Sequence, residues 1–200
     1  MKKLLGLPLV LLSFCVIEAN ERYFLVSYDR ATAEAKDDVS SVDTTLEGGG
    51  FRLFSFQDDG RYIGLGISYV SDNSESKICI PGPDCVSSFS AKASSFVEIG
   101  WDTGRWTPFI GLSFTSSEVR LMDESDREES RGLSAGSWLQ FDTFLLRGAV
   151  AHIDDEDNRA ISGGVLYPVR TNLTLGGEIG LNLNSKVDGF NISIQIGRKF

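Results

Sequence analysis

The chain has 200 residues, with 19 Lys and Arg against 28 Asp and Glu, one His and a formal net charge of −9. That acidic balance excludes a nucleic-acid binder, which needs a basic face. Mean hydropathy is −0.05, and beyond Ala19 no apolar run reaches the ~18 residues that a membrane-crossing helix needs.

Met1 to Ala19 reads as a secretory signal. Lys2 and Lys3 precede an apolar stretch from Leu4 to Ile17, and Ile17-Glu18-Ala19 ends in a small residue suited to cleavage. Phe14 before Cys15 is too large for a lipoprotein signal. The segment carries a net +1 from Lys2, Lys3 and Glu18, so the chain from Asn20 onward is near −10, that is −9 less +1. The remainder is expected to form one domain, residues 20–200. Its Gly, Thr, Ser and aromatic residues recur at even spacing, which favours many short strands over helices.

Taken in order, the first strand spans about Arg22 to Arg30, with Phe24, Val26 and Tyr28 alternating with Tyr23, Leu25, Ser27 and Asp29. A polar loop is expected from Ala31 to Asp43, then a second strand to Phe56. Arg52 lies mid-strand, and an Arg facing lipid at mid-depth costs ~2–4 kcal/mol, so it is expected to point inward. Asp59-Gly60 signals a tight hairpin. The third strand, about Arg61 to Val70, sets Ile63, Leu65, Ile67 and Tyr69 against Tyr62, Gly64, Gly66 and Ser68. A long loop to Ser88 holds Cys79 and Cys85 in KICIPGPDC. In an exported protein this pair is expected to form a disulfide, the rival being a metal pair that has no His or further Cys nearby.

The fourth strand, about Phe89 to Trp101, opposes Lys92, Ser94, Phe96 and Glu98 to Val97, Ile99 and Trp101. Asp102-Thr103-Gly104 turns the chain into the fifth, about Arg105 to Ser116, with Trp106, Pro108, Ile110, Leu112 and Phe114 outward. A charged loop is expected from Ser117 to Arg131. Gly132 to Ile153 is about twice the ~9–11 residues of one crossing, so the chain must reverse at Asp142-Thr143. Arg147 then points inward by the cost argument applied to Arg52. The eighth strand runs about Arg159 to Tyr167. The ninth, about Leu173 to Leu183, puts Glu178 among the inward Thr174, Gly176, Gly180 and Asn182. The tenth, Gly189 to Phe200, alternates Phe190, Ile192, Ile194 and Ile196 with Asn191, Ser193, Gln195 and Gly197.

Two stretches carry a resemblance. GFNISIQIGRKF, with its apolar face and terminal Phe200, resembles the closing strand of bacterial outer-membrane β-barrels. EIGWDTGRWTPFIGLSF resembles the turn and aromatic strand of small barrels of the OmpA and opacity-protein type. The resemblance implies an all-β, closed antiparallel transmembrane barrel in the outer membrane of a Gram-negative cell, in contact with lipid and lipopolysaccharide. It also makes Phe200 the signal read by the barrel assembly machinery. The parity reading gives ten strands, an even number as closure requires, with eight as the alternative.

Arg52, Glu98, Arg147 and Glu178 all fall on inward parity near mid-depth. They read either as a salt-bridged network filling a narrow lumen or as the constriction of a small pore. Inward Gly64, Gly66, Ser68, Gly111, Ser113, Gly176 and Gly180 are small enough to leave room for a narrow water path in the second reading. His152, the lone histidine, shares parity with Leu146 and Val150 and is expected to face lipid, so no catalytic residue is assigned and no enzyme is expected. The acidic stretches Asp123 to Glu129 and Asp154 to Asp157 read as solvated loop tips, with cation bridging to lipopolysaccharide as the alternative. No cofactor or metal is expected. The function expected is a structural or surface-interaction role, with a narrow porin-like channel for small solutes as the alternative and an outer-membrane barrel enzyme as a third, lower-ranked reading. The sequence leaves the oligomeric state open.

Overall fold

In the computed structural model, residues 19–37, 40–72, 76–79, 85–121, 124–170, 172–183 and 187–200 are described. Residues 1–18, and with them most of the segment expected to be a secretory signal, lie outside them. The strands are β1 (Ala19–Asp37), β2 (Ser40–Gln57), β3 (Arg61–Ser71), β4 (Ser76–Cys79), β5 (Cys85–Trp101), β6 (Trp106–Leu121), β7 (Glu124–Gln140), β8 (Leu145–Ala151), β9 (Ala160–Arg170), β10 (Leu173–Asn182) and β11 (Val187–Lys199). Apart from the short β4, which pairs only with β5, each strand bonds antiparallel to the next. The ring is closed by β1 on β11 and β3 on β5. The result is a closed ten-stranded barrel with no free edge at membrane depth, where lipid could not satisfy one.

Alternation decides the faces. Phe51, Ile67, Ile99, Ile110, Leu112, Ile179, Ile194 and Ile196 point outward and are exposed, forming an apolar belt. Trp101, Trp106, Phe141, Tyr167 and Phe200 stand exposed at the short-turn end, and Tyr28, Tyr69, Phe114 and Phe190 at the other, as two aromatic girdles. Phe200 and Arg22 exchange backbone hydrogen bonds of 2.8 and 3.2 Å, which seals the ring at the short-turn end.

The short turns have local causes. Gly60 (φ 81°) and Gly104 (φ 93°) take the left-handed backbone that their hairpins require. Asp102 Oδ1 accepts from Gly104 N at 2.8 Å. At Asp142-Thr143 the turn closes through Phe141 N donating to Phe144 O at 2.9 Å, and the two rings stack with centroids 4.6 Å apart.

At the long-loop end three expected loops carry strand instead, the one up to Ser88 holding β4 paired with the start of β5. β1 and β2 stay paired to Asp37 and Ser40, and β6 and β7 to Leu121 and Glu124. Above the outer girdle there is no lipid to demand apolar side chains, so pairing continues while the hydrophobic alternation stops. Glu118 and Arg127 are register partners across β6 and β7, while their charged groups are held along their own strands by Arg120 and Glu129. Cys79 and Cys85 are register partners in β4 and β5, but their side chains, and so the expected disulfide, lie outside the described residues.

Candidate functional site: a plugged lumen beneath an outward-opening cup

The lower half of the lumen is filled. Tyr23, Leu25, Phe54, Phe56, Tyr62, Phe109, Trp138, Leu145 and Leu166 all point inward and are 0–6% exposed. Phe54 packs edge-on to Trp138 at 4.9 Å between centroids, and Tyr62 packs on Phe56 at 5.1 Å and on Phe109 at 5.6 Å. The inward glycines make room for this filling rather than for water. A Cβ at Gly64 would lie 2.7 Å from Glu98 Oε2, and one at Gly66 would collide with the Phe96 ring. The room for water that the small inward residues offered is thus taken at Gly64 and Gly66 by neighbouring strands' large side chains.

On this aromatic plug rests a polar floor. Trp138 Nε1 donates to Tyr62 Oη at 2.9 Å, and Tyr62 Oη donates to Glu98 Oε2 at 2.8 Å. Arg147 Nη2 bonds Glu98 Oε1. Arg147 Nη1 reaches Glu178 Oε2 at 3.4 Å and Ser162 Oγ at 3.3 Å. Arg52 Nη1 donates to Glu178 Oε2 at 2.7 Å, and Arg52 Nη2 lies 3.9 Å from Asp29 Oδ1. Ser27 Oγ completes the chain by donating to Asp29 Oδ2 at 2.8 Å. The structure thus brings Arg52, Glu98, Arg147 and Glu178 together. It adds Asp29, Tyr62 and Trp138, whose inward parity was the only signal in the sequence. Arg147 also lies over Phe96, Phe109 and Trp138, 5.1–5.9 Å from their centroids, so the plug and the floor share one cation.

Above the floor the lumen opens outward as a cup of about 310 Å³, lined by the floor charges and by Lys92, Ser68, Ser94, Thr115, Ser134 and Asn191 among others. Below the plug a separate cavity of about 260 Å³ is lined by Glu21, Phe56, Gln57, Asp102 and Gln140.

His152 is not on the lipid face. It is 4% exposed and lines the cup, because its φ of 52° breaks the alternation immediately after β8. The parity argument fails here because it assumes extended backbone at every residue. His152 Nδ1 lies 3.3 Å from Ser130 Oγ, and Ser130 Oγ donates to Asp155 Oδ2 at 3.2 Å. A hydrolytic triad needs the acid on the imidazole and the imidazole on the hydroxyl. Here the acid takes the hydroxyl directly, so the trio is a clasp between β7 and the β8–β9 connection. Asp154 Oδ1 accepting from Leu133 N at 2.7 Å and Ile153 N donating to Leu133 O at 2.9 Å reinforce it. Burial pushes the His152 imidazole below its usual range, against the pull of Asp155 and Asp154. Hydrogen bonds from Asn158, Ser130 and the Asp157 amide hold the Asp155 carboxyl low. Among the described residues no cluster of three or more His, Cys, Asp or Glu side chains could hold a metal ion.

A closed ten-stranded ring with an outward apolar belt, two aromatic girdles and a polar, charge-lined interior defines a transmembrane β-barrel of the Gram-negative outer-membrane type. No protein-family model and no curated protein matches the chain. Among solved structures it is similar to Ail, the attachment invasion locus protein of Yersinia pestis, solved with the heparin analogue sucrose octasulfate. That match has a TM-score of 0.54 and 10% identity over 92% of this chain and 100% of Ail. The outer membrane protease OmpT from Escherichia coli matches with a TM-score of 0.50 and 10% identity over 90% of this chain and 95% of OmpT. At such identities the likeness is one of fold alone, and the fold hosts different functions.

Proposed function

We propose that this protein is a non-conducting outer-membrane barrel that works at its outer face, as a surface-interaction protein. The aromatic plug carries this reading. Side chains 0–6% exposed separate the cup from the cavity beneath it, and the paired charges are stacked on them. A channel would have to dismantle both layers at once. The paired strand ends above the outer girdle add a rigid projecting surface. The described part of the β6–β7 hairpin includes Glu118, Asp126, Glu128 and Glu129 against Arg120, Arg127 and Arg131. Asp154 to Asp157 lie beside it, so the outer face disfavours polyanions. The sulfated ligand seen with Ail is therefore not carried over.

The test is current across a planar bilayer holding the refolded chain. A silent trace is expected, for the wild type and for Arg147→Ala alike. Steady, ion-selective conductance in the wild type would refute the reading and restore the narrow channel. We assign Phe200, exposed on the closing strand, as the residue that the assembly machinery reads. Phe200→Ala is expected to lower the fraction of heat-modifiable, folded barrel in cells while leaving refolding in detergent intact.

A further inference from the structure

The cup holds polar donors that the floor network does not use. Glu98 is taken by Arg147 and Tyr62, and Glu178 by Arg52 and Arg147. Asp29 is taken by Ser27 and lies near Arg52. That leaves Lys92, on the inward face of β5 and in the cup wall, with no hydrogen bond or ion pair among the described residues. Two buried donors on the same wall are also unanswered. Arg147 Nε and Ser134 Oγ, on side chains 8% and 6% exposed, have no hydrogen-bond partner. A buried donor left unmade costs about 1–3 kcal/mol, so such groups normally have an acceptor.

Lys92, Arg147 and Ser134 all line one cavity that opens outward and is closed at its base. The lining sets Arg30, Arg52, Lys92 and Arg147 against Asp29, Glu98 and Glu178, with His152 neutral, so four cations face three anions. Arg30 is held by Glu47 outside the cup, which leaves Lys92 as the lining cation with no carboxylate among the described residues. The rest of the wall is rich in hydroxyl and amide groups: Ser68, Ser94, Thr115, Asn158 and Asn191. We infer that the cup binds a small, singly negative, hydroxyl-rich molecule of the sugar-acid class, its carboxylate on Lys92 and its hydroxyls on the Ser, Thr and Asn wall. One negative charge is the limit, because the acidic strand ends above the cup repel anything more highly charged.

The probe is D-glucuronate, titrated by calorimetry into the whole folded barrel in nanodiscs, with D-glucose as the neutral control. Saturable glucuronate binding is expected, with glucose at least about tenfold weaker, the order of one charge-assisted hydrogen bond. Lys92→Gln is expected to lose about tenfold or more in affinity, while Lys92→Arg keeps most of it. Ser134→Ala is expected to weaken binding less. The unliganded thermal midpoint of Lys92→Gln should match wild type, since Lys92 holds no other group. Absence of saturable glucuronate binding, equal binding by Lys92→Gln, or glucose binding as tightly would each overturn the site. Bilayer current is a separate readout: a barrel that ignores glucuronate and stays silent loses the cup ligand and keeps the non-conducting reading.

Discussion

Glu98 is 1% exposed and holds both Arg147 and Tyr62. Removing one partner of a buried pair leaves the other charge uncompensated, at a cost of about 3–5 kcal/mol. Glu98→Ala is therefore expected to lower the heat-denaturation midpoint of the folded barrel on gels by many degrees, and an unchanged midpoint would dismiss the pairing. Replacing Glu98 and Arg147 together by Leu and Met is expected to cost less than Glu98→Ala alone, because no lone charge remains. His152 sets a pH dependence. Its folded imidazole resists protonation relative to its ordinary value near 6.5. Over the window below 6.5, down to that lowered value, the unfolded chain binds the proton and the folded chain does not, so stability falls with pH there and is complete above it. The midpoint is expected to drop between about pH 7.5 and about pH 5, and to drop less in His152→Asn. An Asn tolerates the left-handed backbone at that position, so the comparison isolates titration from strain.

At the scale of elements, the hairpins are decided by their turns. Gly104 adopts a φ of 93°, and Gly104→Ala is expected to destabilise the barrel by about 1 kcal/mol, read as a lower urea midpoint with an unchanged slope. β4 and β5 hold Cys79 and Cys85 as register partners. If they are bonded, a thiol-reactive polymer shifts the chain on gels only after reduction; a shift without reductant would exclude the disulfide. Strand cores were legible from alternation and from the cost of a charge facing lipid, which sends Arg52 and Arg147 inward. Strand ends were not. Residues 117–121 and 124–131 read as a charged loop because alternation fades, yet their backbones stay in register, Glu118 opposite Arg127, along a continuous ladder.

For the whole molecule the division is between a sealed lower half and an open upper half. Trp138 is 1% exposed and touches Phe54 and Phe56 through its ring and Tyr62 through its N–H. Trp138→Ala is expected to cost about 3–5 kcal/mol as a cavity mutation. Combined with Phe54→Ala it is expected to convert a silent barrel into one that passes small ions. If the double variant folds and remains silent, the seal lies elsewhere, in the floor charges.

The sequence by itself determined the barrel. Period-two alternation, an even strand count and the price of charge in lipid leave few other ways to bury these faces, and they send Arg52, Glu98, Arg147 and Glu178 inward together. Only the tertiary structure decided what the lumen is. Parity says which residues point inward, not which strands' residues meet, and the partners of Glu98 lie 36 residues away at Tyr62 and 49 away at Arg147. The same limit hid His152. One residue with φ of 52° reverses the face that alternation assigns, and no local signal in a stretch rich in Asp announces it, because that backbone is held by Ser130, Leu133 and the acids packed around it.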